Sequence, residues 1–304
     1  MFVLYTSPVL DLLSSYGLLG HAYADDTQAY KHCKIVDLAD TLNLLQRSFS
    51  ALSDWMLCNR LKLNANKTEL IIFGSKYNLA KVTPTSISLN GVTVPISDSV
   101  RNLGIILDAE LNFKLHSKKL TSTCFLNIKQ IWQIRNCLTK SACETLVHAF
   151  VSSRLDYCNS VFAGLTKSVL HSLQLIQNAA ARLVTRTNKR EHISPVLIDL
   201  HWLPISQRIT FKIAVLVYKS LSDACPSPRY LSLQSVSSVA GRRSLRSAAR
   251  NDLLVPKYCT ATYGQRPFSV VGPTVWNSLP LSLRQSVSLD SFKSGLKTFL
   301  MTMQ

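Results

Sequence analysis

The sequence predicts an α+β protein, and three observations carry that reading. Period-two stretches broken by turn residues fill roughly the first 110 residues around one long amphipathic helix. The β signal ends near Leu111, and helical periodicity then runs to Ser222. A small unit of helix and irregular chain closes the sequence. With 304 residues, 47% of them apolar, the chain is long enough to bury more than one core. It divides naturally into hairpins and helix over 1–112, a helical region over 113–230, and a basic linker with a C-terminal α/irregular unit over 231–304.

The elements follow in order. The opening "MFVLYTSPVLDLLSSYGLLG" has no basic lead, and Pro8 and Asp11 interrupt it well short of the ~20 apolar residues that a membrane span needs, so no membrane partner is expected. Leu18 to Tyr30 reads as strand, turn, strand, with Asp25 and Asp26 at or next to the turn. Leu38, Leu42, Leu45, Phe49, Leu52 and Met56 then recur at spacings of four and three, the stripe of a helix that buries one face. "LKLNANKTELIIFG" changes period: a turn at Asn64 to Lys67, then a buried strand at Leu70 to Phe73 closed by Gly74. "SISLNGVTVPI" is a hairpin, because Asn90-Gly91 is the favoured pair for a type I′ turn, and Val100 to Leu107 reads as one more strand.

Helices are expected at Leu120–Ile134, Ala142–Leu155, Val169–Val184 and Ile205–Ser222. In the third, Leu173, Ile176, Ala180 and Leu183 make the buried face, and Arg182, Arg186, Lys189 and Arg190 crowd its exit. "SLQSVSSVAGRRSLRSAAR" is a serine-rich surface loop or linker carrying Arg242, Arg243, Arg246 and Arg250. Phe268 and Trp276 are the core anchors of the last unit, which a helix over Leu289–Leu300 completes.

Charge is unevenly placed. The formal total is +17, but the first 57 residues hold six aspartates against three basic residues, so the remainder carries +20. Such a surplus suits polyanionic partners, although scattered lysines and arginines also serve simply to solvate a surface. The eight cysteines include no CxxC and no dense spacing, which reads as reduced thiols in an intracellular protein of the cytoplasm or nucleus. Cys137, Cys143, His148 and Cys158 match no zinc module.

Two adjacent carboxylates at a hairpin tip repel each other modestly in water. The same pair becomes favourable if a hard divalent cation sits there, since Mg²⁺ takes one or two carboxylates beside waters and phosphate oxygens. Two such ions activate a 3′-hydroxyl and stabilise a leaving pyrophosphate. "YADD" within "HAYADDTQAY" resembles the catalytic hairpin of reverse transcriptases, and the flanking text is most similar to those of non-LTR (LINE-type) retrotransposons. "WMLCNRLKLNANKTELIIFG", "NLGIILDAEL", "RLDYCNSVFAGL", "LHWLPISQRITFKI" and "PTVWNSLPLSLRQSVSLDSFKSGLKTFL" resemble later segments of that family in the same order, so the resemblance runs along nearly the whole chain.

The resemblance implies a partial polymerase palm over 1–112, a thumb-like helical region over 113–230 and a C-terminal unit beyond. It implies that Asp25 and Asp26 bind magnesium, with Tyr23 and Ala24 shaping the strand that presents them. Lys67 is implied as the acid that assists pyrophosphate departure, and Leu103 and Gly104 as the primer grip. The alternative for Lys67 is a solvated turn lysine, and for Gly104 a strand glycine easing a bulge. Lys118, Lys119, Arg182, Arg186, Lys189 and Arg190 become candidate phosphate contacts along an RNA template paired with a DNA primer. Deoxynucleotides and Mg²⁺ complete the set implied for the intact enzyme. The family's first metal-binding aspartate and its fingers precede such a hairpin, whereas only 24 residues precede Asp25 here, and Asp11 lies in the approach segment. The expectation is therefore a truncated RNA-directed DNA polymerase, inactive as this chain, or else a nucleic-acid-binding remnant without catalysis.

Overall fold

The apolar stripe from Leu38 to Met56 organises the first of two compact units, Met1–Asn112. The computed structural model describes residues 2–64, 67–83, 85–222, 233–236, 252–260 and 263–303. The linker arginines Arg242, Arg243, Arg246 and Arg250 lie outside the described residues. The unit opens with α1 (Phe2–Tyr5) and α2 (Pro8–Ser15), whose Pro8 sits at the first position, where a missing N–H costs nothing. Then come β1 (Leu19–Tyr23), β2 (Asp26–Tyr30) and the 21-residue α3 (Leu38–Cys58).

The stripe of α3 serves two cores. Leu52 joins Val9, Leu13 and Leu18, fixing α2 against the C-terminal half of α3. Leu42 joins Ile87, Leu89 and Val94 under its N-terminal half. Those last three alternate along β3 (Ser86–Leu89) and β4 (Val92–Pro95), which follow the short α4 (Lys76–Leu79). Burying such a side chain is worth about 1.5–3 kcal/mol, so the alternation decides which face of the hairpin meets the helix. Asn90 (φ 48) and Gly91 (φ 80) make the type I′ turn that their sequence predicts.

Two expectations are corrected. Val100 to Leu107 is not one strand but a hairpin, β5 (Ser99–Asn102) and β6 (Ile105–Asp108), reversing at Leu103 (φ 43) and Gly104 (φ 87). Leucine seldom takes positive φ, so apolar alternation reads straight through this turn. Leu70 to Phe73 is not a buried strand either. Only Leu70 pairs, in a single parallel bridge to Ile96 with the Ser97 N–H donating to its carbonyl at 2.8 Å, and Phe73 is 46% exposed. An apolar run without a partner along its edges has no ladder to join. Among the described residues the strands form three separate antiparallel pairs.

The second unit, Phe113–Gln304, is helical. It contains α5 (Lys114–Gln133), α6 (Lys140–Val147), a π-helical turn at His148–Ser152, α7 (Ser153–Asp156) and α8 (Lys167–Thr185). Next come α9 (Ile193–Asp199), α10 (Ile205–Leu221), α11 (Phe268–Ser278), α12 (Leu281–Arg284) and α13 (Leu289–Met301). Leu173, Ile176, Ala180 and Leu183 are buried along α8, as their spacing requires. The C-terminal helices α11 and α13 pack on α10: the Tyr218 ring stacks on Phe292 at 4.5 Å and its hydroxyl donates to the Ser286 carbonyl at 2.9 Å. Trp276 is buried beside Phe292, whereas Phe268 is only half-buried.

One polar residue fixes the end of α8. Arg135, 8% exposed, donates from Nε to the Leu183 carbonyl, from Nη2 to that of Val184 and from Nη1 to that of Leu138, each at 2.8 Å. Leu183 and Val184 belong to the last helical turn, whose carbonyls have no partner within the helix. No described helix is long and apolar enough to cross a membrane.

Candidate functional site

The acidic pair occupies a two-residue hairpin turn and the first position after it. Tyr23 pairs with Asp26, which leaves Ala24 and Asp25 as the turn. Ala24 takes the left-handed region at φ 54, a conformation that costs a residue with a Cβ about 1–2 kcal/mol. Residues opposite each other share a face, so Leu19, His21 and Tyr23 lie with Tyr30, Gln28 and Asp26, while Gly20, Ala22, Thr27 and Ala29 lie on the other side. The small-residue face meets α2: a Cβ on Gly20 would come within 2.9 Å of Leu13 and 3.0 Å of Leu10. On the polar face, His21 and Tyr30 are joined through Nε2 and the phenol oxygen at 2.9 Å.

Gln28 is the one residue of β2 that is not exposed. Its Nε2 donates to Asn102 Oδ1 at 2.7 Å, across a sequence separation of 74 residues. Asn102 immediately precedes the turn at Leu103 and Gly104. One hydrogen bond therefore ties the face that carries Asp26 to the hairpin whose tip holds the candidate primer grip. That tip is exposed, and its two positive φ values make it a type I′ turn.

Lys67 is exposed, with its N–H donating to the Asn64 carbonyl at 3.0 Å. No ion pair among the described residues joins it to Asp25 or Asp26. The two acids are themselves exposed and carry no ion-pair partner there. As a donor set, two adjacent exposed carboxylates suit a hard cation that keeps other oxygen ligands. No group of three acidic, histidine or cysteine side chains with metal-binding potential occurs among the described residues.

Two curated proteins match this chain. It is 31% identical over 146 residues to "Probable RNA-directed DNA polymerase from transposon BS" of Drosophila melanogaster, covering 46% of this chain and 16% of that protein. It is 25% identical over 167 residues to "Probable RNA-directed DNA polymerase from transposon X-element" of the same organism, covering 54% of this chain and 18% of that protein. The chain resembles transposon-encoded RNA-directed DNA polymerases. It spans less than a fifth of the length of these relatives. No family model and no solved structure matches.

The basic residues singled out for nucleic acid fall into two groups. Lys118 and Lys119 are exposed on α5, and no ion pair engages them among the described residues. Arg182 and Arg186 are used locally: Arg182 donates to the Asn188 and Glu191 carbonyls at 3.4 and 3.1 Å, holding the loop after α8, and Arg186 caps the helix at φ 59 while donating to the Arg135 carbonyl at 3.3 Å. Lys189 and Arg190 sit in that loop, exposed. In the first turn of α5, burial lowers the His116 pKa, with Lys119 adding to the effect, so its ring is neutral at physiological pH.

Gln28 and Asn102 were not candidates in the sequence. Gln28 lies two positions after Asp26 and so shares its face by strand periodicity. Asn102 carries no such signal, because its role depends on the turn that follows it.

Proposed function

We propose that this chain carries the catalytic hairpin, the primer-grip turn and the nucleic-acid-binding region of a non-LTR retrotransposon reverse transcriptase. The observation that supports the reading is the Gln28–Asn102 hydrogen bond, which ties the hairpin that carries Asp25 and Asp26 to the hairpin that turns at Leu103 and Gly104. Asp25 and Asp26 would hold magnesium, which when bound neutralises charge on an attacking 3′-hydroxyl and a departing pyrophosphate. Lys67 serves as the proton donor to that leaving group. Leu103 and Gly104 offer backbone to the primer terminus, and Lys118, Lys119, Arg182, Arg186, Lys189 and Arg190 hold the phosphates of an RNA–DNA duplex. RNA-templated addition of deoxynucleotides is the reaction of the complete polymerase.

As this chain alone, the protein does not extend a primer to any appreciable degree, because two carboxylates without a third do not assemble the site. Primer extension by the purified chain tests this: robust deoxynucleotide incorporation that Asp25→Asn abolishes contradicts it. The balance of +20 after residue 57 favours a second reading, a non-catalytic nucleic-acid-binding protein. Filter binding of RNA and RNA–DNA hybrid over a salt series tests the shared claim, and absence of binding at low salt removes it.

A further inference from the structure

The helix α5 carries four lysines and no acid. Taking about 100° per residue, Lys118, Ser122, Phe125, Lys129 and Trp132 fall within an arc of roughly 80° and span about 21 Å along the axis. All five are exposed, Trp132 by 69%. The stripe alternates cations with aromatic rings, which differs from both a solvated charged face and an apolar seam. Solvation accounts for the lysines and leaves the rings unexplained.

A groove of about 510 Å³ adjoins its N-terminal end, between α5 and the first turns of α8. Lys114 and Lys118 line it together with the hydroxyls of Ser117, Thr121 and Ser122, and α8 adds Ser168 and Ser172. Among the described residues no acidic side chain lines it. Ser117 and Ser172 meet at 3.3 Å, Ser172 donates to the Val169 carbonyl at 2.7 Å, and Ser168 meets Thr166 at 3.0 Å. Thr121 Oγ1 is shielded from solvent and has no hydrogen-bond partner among the described residues. A buried hydroxyl without a partner is costly, and beside two ammonium groups the ligand that satisfies it is an anion with several acceptor oxygens.

We propose that α5 and this groove form a track for an unpaired nucleic-acid strand, with one phosphodiester seated among Lys114, Lys118 and the Thr121 hydroxyl and with bases stacked on Phe125 and Trp132. The inference rests on the polymerase reading and departs from it at one residue: Lys118 is assigned to an unpaired strand at this face rather than to the duplex. A duplex satisfies the lysines but has no exposed base faces to offer the rings, whereas an unpaired strand supplies both phosphates and π-faces.

Trp132 supplies its own reporter. Of the four tryptophans it is the exposed one, with Trp202 and Trp276 buried and Trp55 half-buried. Titrating the full chain with an unstructured RNA of roughly 15 nucleotides, and with a duplex of equal length, is expected to show quenching by the single strand alone. Trp132→Phe removes the quenching yet keeps most of the affinity, while Trp132→Ala and Phe125→Ala each weaken binding about tenfold. Lys118→Ala lowers the slope of log K against log salt by about 0.7. Thr121→Val weakens binding without lowering the melting temperature. Binding with no Trp132-dependent quenching, or with Trp132→Ala at full affinity, overturns the track and leaves the polymerase reading standing. A dimer that Trp132→Ala dissolves with RNA affinity unchanged likewise overturns it, assigning the stripe to a second copy. Failure to bind any nucleic acid at low salt removes both.

Discussion

Replacing Arg135 with methionine tests how the helical unit is held together. The guanidinium makes three 2.8 Å hydrogen bonds to carbonyls, two of them at the C-terminal end of α8, where the helix dipole also favours a cation. Methionine fills much of the volume but leaves the Leu183 and Val184 carbonyls without that donor, at about 1–3 kcal/mol each. Relief from burying a charge that lacks a carboxylate offsets part of this loss. The net expectation is about 3 kcal/mol of destabilisation. For a unit of this size, at about 2–4 °C per kcal/mol, the melting temperature falls by roughly 6–12 °C. Circular dichroism at the helical band, followed on heating the full chain, measures it. Arg135→Lys, which keeps the charge but cannot span three carbonyls, should recover only part of the difference. If Arg135→Met melts at or above the wild-type temperature, the three hydrogen bonds of Arg135 contribute nothing net to the stability of the helical unit.

Gly104→Ala forces a Cβ into φ 87 and should lower the stability of the first unit by about 1–2 kcal/mol, whereas Leu103→Asn, better suited to positive φ, should leave it unchanged or raise it; urea midpoints with equal m-values decide. Burial pushes the Cys124 thiol up to about 11, against an opposing pull from Arg154. The fold therefore favours the neutral thiol, so stability holds below the ordinary thiol range and falls as pH rises through about 11. Thiol labelling at pH 8 should modify exposed Cys58, Cys137 and Cys259 at once and Cys124 and Cys143 only as the protein opens; prompt labelling of Cys124 contradicts its burial.

How far the sequence reads depends on whether the signal is local. The Asn90-Gly91 turn, the α3 stripe and the buried face of α8 follow from periodicity and turn chemistry, and each is present. The Leu103-Gly104 reversal was hidden because leucine contributes apolar alternation while adopting a conformation that its type disfavours. The expected strand at Leu70–Phe73 lacked a partner that only the tertiary fold assigns. The α9 helix is short and contains Pro195, so no stripe announces it. In the site, the acids and Lys67 were legible as residue types in turns. The bond from Gln28 to Asn102 was not, since it joins residues 74 apart. Of the stripe on α5 the sequence singles out Lys118; the exposure of Phe125 and Trp132 depends on what packs against the helix, which no local pattern gives.

Iron-directed backbone cleavage of the full chain bears most directly on the acid pair. Fe²⁺ replaces Mg²⁺ at oxygen-ligand sites, and with ascorbate and peroxide it cuts nearby backbone. Scission is expected around Asp25–Asp26 and around Leu103–Gly104, suppressed by excess Mg²⁺ and lost in the Asp25→Asn, Asp26→Asn double variant. Cleavage that is absent there, or that persists unchanged in the double variant, contradicts a metal-binding role for the pair.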